Sequence, residues 1–338
     1  MNIALIGLGM VAGTHVAAIQ SSGRGLNLAG VLGRDPDRTV AFATQHKTRA
    51  YNSVEEIAQD PVIDFAIVAT PPDQRLPLVR ALATAGKPIL MEKPIERTLS
   101  AAREIVTLCE DASVPLAIVF QHRARAASAA LRTALMAGEL GDIATVDIRV
   151  PWWRDQSYYD APGRGTYGRD GGGVMISQAI HTLDLAMWLL GPISSVQALM
   201  TQTPLHQLEA EDWAGALFEM ECGAVGTMMA TTADFPGSTE TITIQGTKAK
   251  AQLGSGVLLI TYLDGKTTSF GETASTGGGA DPMAFTHEWH QSVIEDFARA
   301  ITSGTTPLAA ARSALLSHAV IDAMQTASRT GQRTKVAS

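Results

Sequence analysis

From residue 1 to about 120, short apolar runs alternate with helix-length amphipathic segments, the pattern of a parallel sheet whose strands are joined by crossover helices. The runs fall at 3–6, 28–32, 65–69, 89–91 and 116–120. Each is apolar on consecutive residues, as a strand covered on both faces must be. Helix patterns lie between them at 11–20, 36–44, 54–59, 74–85 and 99–111, with Ser53 and Ser100 as expected caps. Beyond residue 140 the rhythm becomes period two, at 143–150, 196–201, 213–220, 225–232 and 241–245, which predicts antiparallel strands with one face solvated or covered by a partner. Helix patterns interrupt it at 174–190, stopped by Gly191-Pro192, and at 288–303, followed by Gly304. The glycine-rich stretch 276–280 is too short for a linker. The expected fold is α/β plus α+β: a doubly wound parallel sheet over residues 1–122, then a mostly antiparallel open-sheet domain over 123–338 whose last helices can pack back on the first.

The length of 338 residues supports this division, because single hydrophobic cores stop growing near ~250 to 300 residues. With 46% apolar and 17% charged residues the chain has ample material to bury. A formal charge of -7 and the lack of a basic stripe exclude a nucleic-acid partner. No apolar run approaches the ~18 to 20 residues of a membrane span. The chain runs straight into an apolar strand without a positively charged leader, so a cytoplasmic location is expected. Its two cysteines, Cys109 in a helical pattern and Cys222 at a turn, support neither a disulfide framework nor a cysteine metal site. Both read as buried small hydrophobes.

The first strand ends in Gly7-Leu8-Gly9-Met10-Val11-Ala12, a G-x-G-x-x-A pattern at a strand-to-helix junction. Gly7 permits the tight turn, Gly9 lets a pyrophosphate approach the backbone, and Ala12 is small enough for the helix to pack on the strand. Met10 and Val11 open that helix, where amides face an anion. This predicts a dinucleotide coenzyme. Its ribose is read at the end of the second strand, where Gly33 and Arg34 stand and Asp35-Pro36 reads as a helix cap. A cation at that junction favours the 2′-phosphate, so the expectation is NADP ahead of NAD.

The apolar run 89–91 leads into Glu92-Lys93-Pro94 at the carboxyl edge of the sheet, where open α/β folds bind ligands. With the glycine pattern, Ala69-Thr70-Pro71-Pro72, Gly171-Gly172-Gly173 and His181-Thr182-Leu183-Asp184 in this order, the chain resembles the glucose-fructose oxidoreductase, inositol dehydrogenase and MocA family over nearly its whole length. The resemblance implies a Rossmann domain for NAD(P) and a second domain for substrate binding and oligomerisation. It implies that Lys93 stands beside nicotinamide and substrate hydroxyl, that the peptide before Pro94 is cis, and that His181 is a proton-transfer partner or substrate ligand. A partly desolvated amine at a strand tip is suited to shuttle protons, so Lys93 and His181 form the expected acid–base pair. Many members carry aspartate four residues before that histidine; Ser177 stands there and cannot act as a carboxylate base, although it can hydrogen-bond a hydroxyl.

The resemblance further implies Thr70, Pro71, Pro72 and Glu92 at the coenzyme and Asp184 at the substrate, and position after the 116–120 run adds Gln121 to the first and Arg123 to the second. The segment 151–167 is rich in aromatics and arginine, and Trp152, Arg154, Tyr158 and Arg164 suit a ring with apolar faces and a polar rim; the same composition also suits a subunit interface. His287 and His290 flank Glu288, but the pattern lacks further ligands and no metal is expected. The implied activity is hydride transfer between nicotinamide and a hydroxyl of a sugar, sugar acid or cyclitol, by a homodimer or homotetramer formed through the second sheet. A redox-neutral, NAD-dependent glycoside hydrolase and a non-catalytic dinucleotide sensor are the alternatives.

Overall fold

A computed structural model describes residues 1–274, 277–279 and 285–337. The chain forms two compact units. One comprises residues 1–121 and 286–315, the other residues 122–285 and 316–338.

The first unit is built on six parallel strands, β1 (Asn2–Ile6), β2 (Asn27–Leu32), β3 (Arg49–Ala50), β4 (Phe65–Val68), β5 (Ile89–Met91) and β6 (Leu116–Ile118), in the order β3-β2-β1-β4-β5-β6. The order reverses between β1 and β4, and ligands bind at such a switch point outside the carboxyl ends of the strands. Every residue of β4 and β5 is buried, which explains their uninterrupted apolar sequence. Helices α1 (Ala12–Ser21), α2 (Pro36–Gln45), α3 (Val54–Gln59), α4 (Arg75–Thr84) and α5 (Leu99–Asp111) connect the strands. Asp35 and Ser53 cap α2 and α3 by accepting from the amides of Arg38 and Glu56. The cap of α5 is Thr98, not Ser100, because Thr98 has the extended backbone from which its hydroxyl reaches the Ala101 amide.

The later helix Glu288–Ser303 packs on α1. Its buried His290, Val293, Ile294, Phe297 and Ala300 recur at three- and four-residue spacing. Phe297 meets Phe65 of β4 edge to face at 5.3 Å, and burying each such ring contributes about 1.5–3 kcal/mol. Gly304 ends the helix in a left-handed conformation at φ 65°.

The second unit carries a nine-stranded sheet of β7 (Ile143–Pro151), β8 (Ile193–Thr201), β9 (Trp213–Met220), β10 (Val225–Thr231), β11 (Thr241–Gly246), β12 (Ala249–Gly254), β13 (Val257–Tyr262), β14 (Thr267–Phe270) and β15 (Thr334–Lys335), ordered β14-β13-β12-β11-β7-β10-β9-β8-β15. Every neighbouring pair is antiparallel except β7 with β10. Alternate burial along β11 and β12 marks one inner and one outer face. Helices Ala126–Met136 and Ile180–Leu190 pack against this sheet. The expected helix over 174–190 is one path in two parts, a π turn at Met175–Ala179 and an α-helix from Ile180. Cys109 is buried as expected, whereas Cys222 is exposed, because it sits in the tight turn between β9 and β10. Among the described residues no helix is long and apolar enough to cross a membrane.

Candidate active site

At the tip of β1, Gly7 has φ 103°, and a Cβ there would lie 2.6 Å from the Ala69 carbonyl carbon and 2.7 Å from the Thr70 nitrogen. Only glycine fits this approach of two strand ends. Nothing lies within 4 Å of where a Gly9 Cβ would stand, leaving room for a phosphate over the first turn of α1. The residue preceding that helix, Val11, supplies no side-chain cap to its amides, Met10 is exposed and Ala12 buried. The buried Thr70 hydroxyl beside Gly7 has no hydrogen-bond partner among the described residues. These features fit a dinucleotide, with Gly7, Gly9, Met10, Val11, Thr70, Pro71 and Pro72 as the residues to hold it.

At the end of β2 the amide of Gly33 donates to Thr39 Oγ1 at 3.1 Å, and a Cβ would approach that oxygen to 2.7 Å. Arg34 is exposed, while Asp35 is engaged in capping. Gln121 is buried after β6, with its Oε1 unpartnered.

Behind this edge lies a cluster that the sequence did not reveal. His15 Nε2 is 2.9 Å from Glu92 Oε1, and His290 Nε2 is 3.6 Å from the same oxygen. Burial alone would raise the Glu92 carboxyl, but the hydrogen bonds and charges of the two imidazoles outweigh it and hold the group well below the usual carboxylate range. Burial lowers His290, with Glu92 opposing. With Glu92 ionised and able only to accept, His15 Nε2 is the donor of their hydrogen bond. The same three residues are the group among the described residues whose donor set resembles a metal centre, but at 2.9 Å the first pair is a direct hydrogen bond. Glu92 Oε2 also accepts from the Lys93 amide at 3.2 Å. The Lys93–Pro94 peptide is cis, and Arg75 at the start of α4 donates to the carbonyls of Thr70, Glu92 and Pro94.

In the second unit, His181 lies one residue into helix Ile180–Leu190 and stacks on His122, ring centroids 4.9 Å apart. Asp184, one turn on, is taken by Arg123 through two bonds, Nε to Oδ2 at 2.7 Å and a terminal nitrogen to Oδ1 at 2.6 Å. Burial pushes the Asp184 carboxyl up, with Arg123 and Ser317 opposing. The glycine run exists for a neighbour: a Cβ on Gly173 would come within 1.7 Å of the Glu211 carbonyl oxygen. The Glu211 carboxylate accepts from the amides of Gly173 and Met175, each at 3.1 Å, and so caps the turn that carries Ser177. Glu211 was not legible in the sequence, because its partners are amides 36 and 38 residues away.

The aromatic segment is partly self-engaged. Trp152 Nε1 donates to Glu240 at 3.3 Å, and Arg154, 2% exposed, donates to the carbonyls of Trp153, Gly277 and Gly279. Thr276 and Ala280 of the glycine-rich stretch lie outside the described residues. Tyr158 accepts from Gln178 Nε2 at 3.1 Å, and the Arg164 guanidinium lies 4.9 Å from its ring centre. The buried Gln178 Oε1 and Arg164 Nε have no hydrogen-bond partner among the described residues. His206, also missed, faces acceptors with both ring nitrogens, Asp212 and the Arg154 carbonyl, each at 2.7 Å. The structure thus pairs Arg123 with Asp184, engages Trp152 and Arg154 internally, and brings Tyr158, Arg164 and Gln178 together.

Residues 1–120 match a family model described as an oxidoreductase family with an NAD-binding Rossmann fold, and residues 128–252 match the GFO/IDH/MocA C-terminal domain. The D-apiose dehydrogenase of Rhizobium rhizogenes is 29% identical over 79% of this chain and 77% of that protein. The WlbA dehydrogenase of Bordetella pertussis, solved with NADH and UDP-GlcNAcA, superposes with a TM-score of 0.86 at 25% identity, covering 100% of this chain and 98% of that one. A levoglucosan dehydrogenase solved with NADH and levoglucosan shares the fold, with a TM-score of 0.88 at 21% identity over 100% and 99% of the two chains.

Proposed function

Because the chain belongs to the Gfo/Idh/MocA oxidoreductase family, we propose that it moves hydride between a nicotinamide coenzyme and a hydroxyl-bearing carbon of a sugar, sugar acid or cyclitol. The observation that carries this reading is the edge of the six-stranded sheet, where the Gly7 turn, the open space at Gly9 and the Glu92-Lys93-Pro94 loop follow the ends of β1 and β5. The nicotinamide, when bound, supplies the hydride acceptor that side chains lack. Lys93 is assigned to take the hydroxyl proton during oxidation and return it during reduction. His181 is assigned to the substrate as second proton carrier or ligand, and Tyr158, Arg164 and Ser177 to its hydroxyls and ring. The substrate class draws support from the sugar-directed relatives.

Supplying NAD and NADP with a panel of sugars, sugar acids and cyclitols should raise absorbance near ~340 nm as coenzyme is reduced. Lys93→Met should lower kcat by about 10²–10⁴ while coenzyme still binds. Product without net reduced coenzyme would favour the hydrolase, and binding without any turnover the sensor.

NAD(H) binding is supported by the family model and the coenzyme-bound relatives. A preference for NADP is proposed on the exposed Arg34. The outer face of β7–β10 carries exposed Leu199, Leu217 and Val225 and is the proposed surface for a homodimer or homotetramer. A cytoplasmic location belongs to the same proposal, since both cysteines are free thiols.

A further inference from the structure

The loops after β4 and β5 each turn a peptide carbonyl inward, and a buried carbonyl requires a donor. Arg75 meets that requirement for both loops. Its Nε and one terminal nitrogen donate to the Thr70 carbonyl at 3.0 and 2.8 Å, and the other terminal nitrogen donates to the carbonyls of Glu92 and Pro94. The side chain is 2% exposed. A guanidinium serves three carbonyls because its donors lie in a rigid planar fork, whereas an ammonium is a point donor on a flexible stem.

We propose that Arg75 is the positioning residue for Lys93, clamping the Thr70-Pro71-Pro72 loop and the Glu92-Lys93-Pro94 loop to one buried guanidinium. The two carbonyls held in the second loop flank Lys93, and the Lys93 amide is itself bound to the Glu92 carboxylate. The backbone that carries the amine is therefore fixed on both sides. The first loop is pressed against Gly7, so the same group also sets the register of the coenzyme turn. Burial pushes the guanidinium down to about 10, with Glu92, Glu96 and Asp73 opposing, which keeps it charged at neutral pH. The inference rests on the role proposed above for Lys93, and it predicts that one distant substitution disturbs chemistry and coenzyme binding together.

The test uses Arg75→Met and Arg75→Lys in the full chain, with thermal unfolding as a check on folding. Titration of reduced nicotinamide fluorescence gives coenzyme Kd, and steady-state assays give kcat and the sugar KM. Arg75→Met should weaken coenzyme binding about tenfold and lower kcat about 100-fold, leaving the sugar KM within about twofold of the parent. Arg75→Lys should recover at least about tenfold of the lost kcat, a rescue that simple loss of fold would not show. A folded Arg75→Met with Kd and kcat both within about twofold of the parent overturns the proposal. If Arg75→Met does not fold, amide exchange in Arg75→Lys decides: faster exchange in both 70–73 and 92–97 supports the clamp, and unchanged exchange in either loop overturns it. If the parent protein turns over no sugar or cyclitol, the proposed function fails, and coenzyme Kd with amide exchange still judges the clamp.

Discussion

The two units bury charge in different ways. In the first, Arg75 serves backbone carbonyls, and Glu92, besides its bond to His15, serves the Lys93 amide. In the second, closed pairs predominate, Arg123 with Asp184, Arg125 with Glu240 and His206 with Asp212, beside Arg154 and Glu211, which serve backbone groups. Parallel strands deliver their carboxyl ends to one edge by topology alone, so what needs fixing there is the course of short loops. The segments 151–179 and 202–212 include long stretches outside the regular sheet, and side-chain contacts such as Trp152–Glu240, Gln178–Tyr158 and His206–Asp212 tie them down. Buried charge in a motif loop thus points to preorganisation, and buried charge in a closed pair points to support.

The largest effect that can break this contrast lies in the second unit. Asp184→Ala leaves the buried Arg123 guanidinium without its carboxylate, and should cost about 3–5 kcal/mol in urea unfolding. Adding Arg123→Met should return most of that loss. A cost below about 1 kcal/mol would mean that the pair is dispensable to the fold and available to a substrate.

A smaller effect separates support from preorganisation in the first unit. His290 titrates below its ordinary value in the folded chain, so the unfolded chain binds the proton first as pH falls. Stability contributed by this group is complete above the ordinary histidine value and is lost as pH drops through it toward the folded value, at up to about 1.4 kcal/mol per pH unit. The same direction holds for Glu92 at more acidic pH. His290→Gln should flatten the slope of unfolding free energy against pH below about 6.5; an unchanged slope would remove His290 from the account.

The smallest effect concerns the exposed Arg34, which sharpens the comparison by adding a charge directed outward. Arg34→Gln should reduce the ratio of kcat/KM for NADP over NAD by about tenfold. A ratio that does not move would assign coenzyme choice to other groups.

Much of the first unit was legible in the sequence because its signals are local. The five apolar runs, the caps Asp35 and Ser53 and the glycine turn depend on neighbours within a few residues, and β1, β2, β4, β5 and β6 lie on those runs. The short β3, Arg49–Ala50, is too brief to leave a period. Helices Ala126–Met136 and Ala311–Thr330 escaped notice because alanine and serine blur the contrast between faces. β12 to β14 are four to six residues long, and β14 has a single apolar residue, Phe270, too few to mark a face.

At the site, Lys93, Gly7 and Thr70 were readable from motif spacing. Arg75, His15 and Glu211 were not. His15 and Glu92 are 77 residues apart and their pairing is set by topology, while Glu211 acts through backbone amides that leave no trace in residue type. Asp184 shows the converse, since it was expected at the substrate and the structure gives both its oxygens to Arg123.

The return of residues 286–315 to the first unit has a consequence for biosynthesis. These residues, His290 and Phe297 among them, complete a core whose remaining members are all translated before residue 122. At ribosomal speeds of about 5–20 residues per second, the nascent sheet waits about 10 to 40 s for its closing helix. During that interval the surface of α1 awaiting the helix is open to chaperones, and a gene fragment ending near residue 122 would yield a product with that surface permanently uncovered.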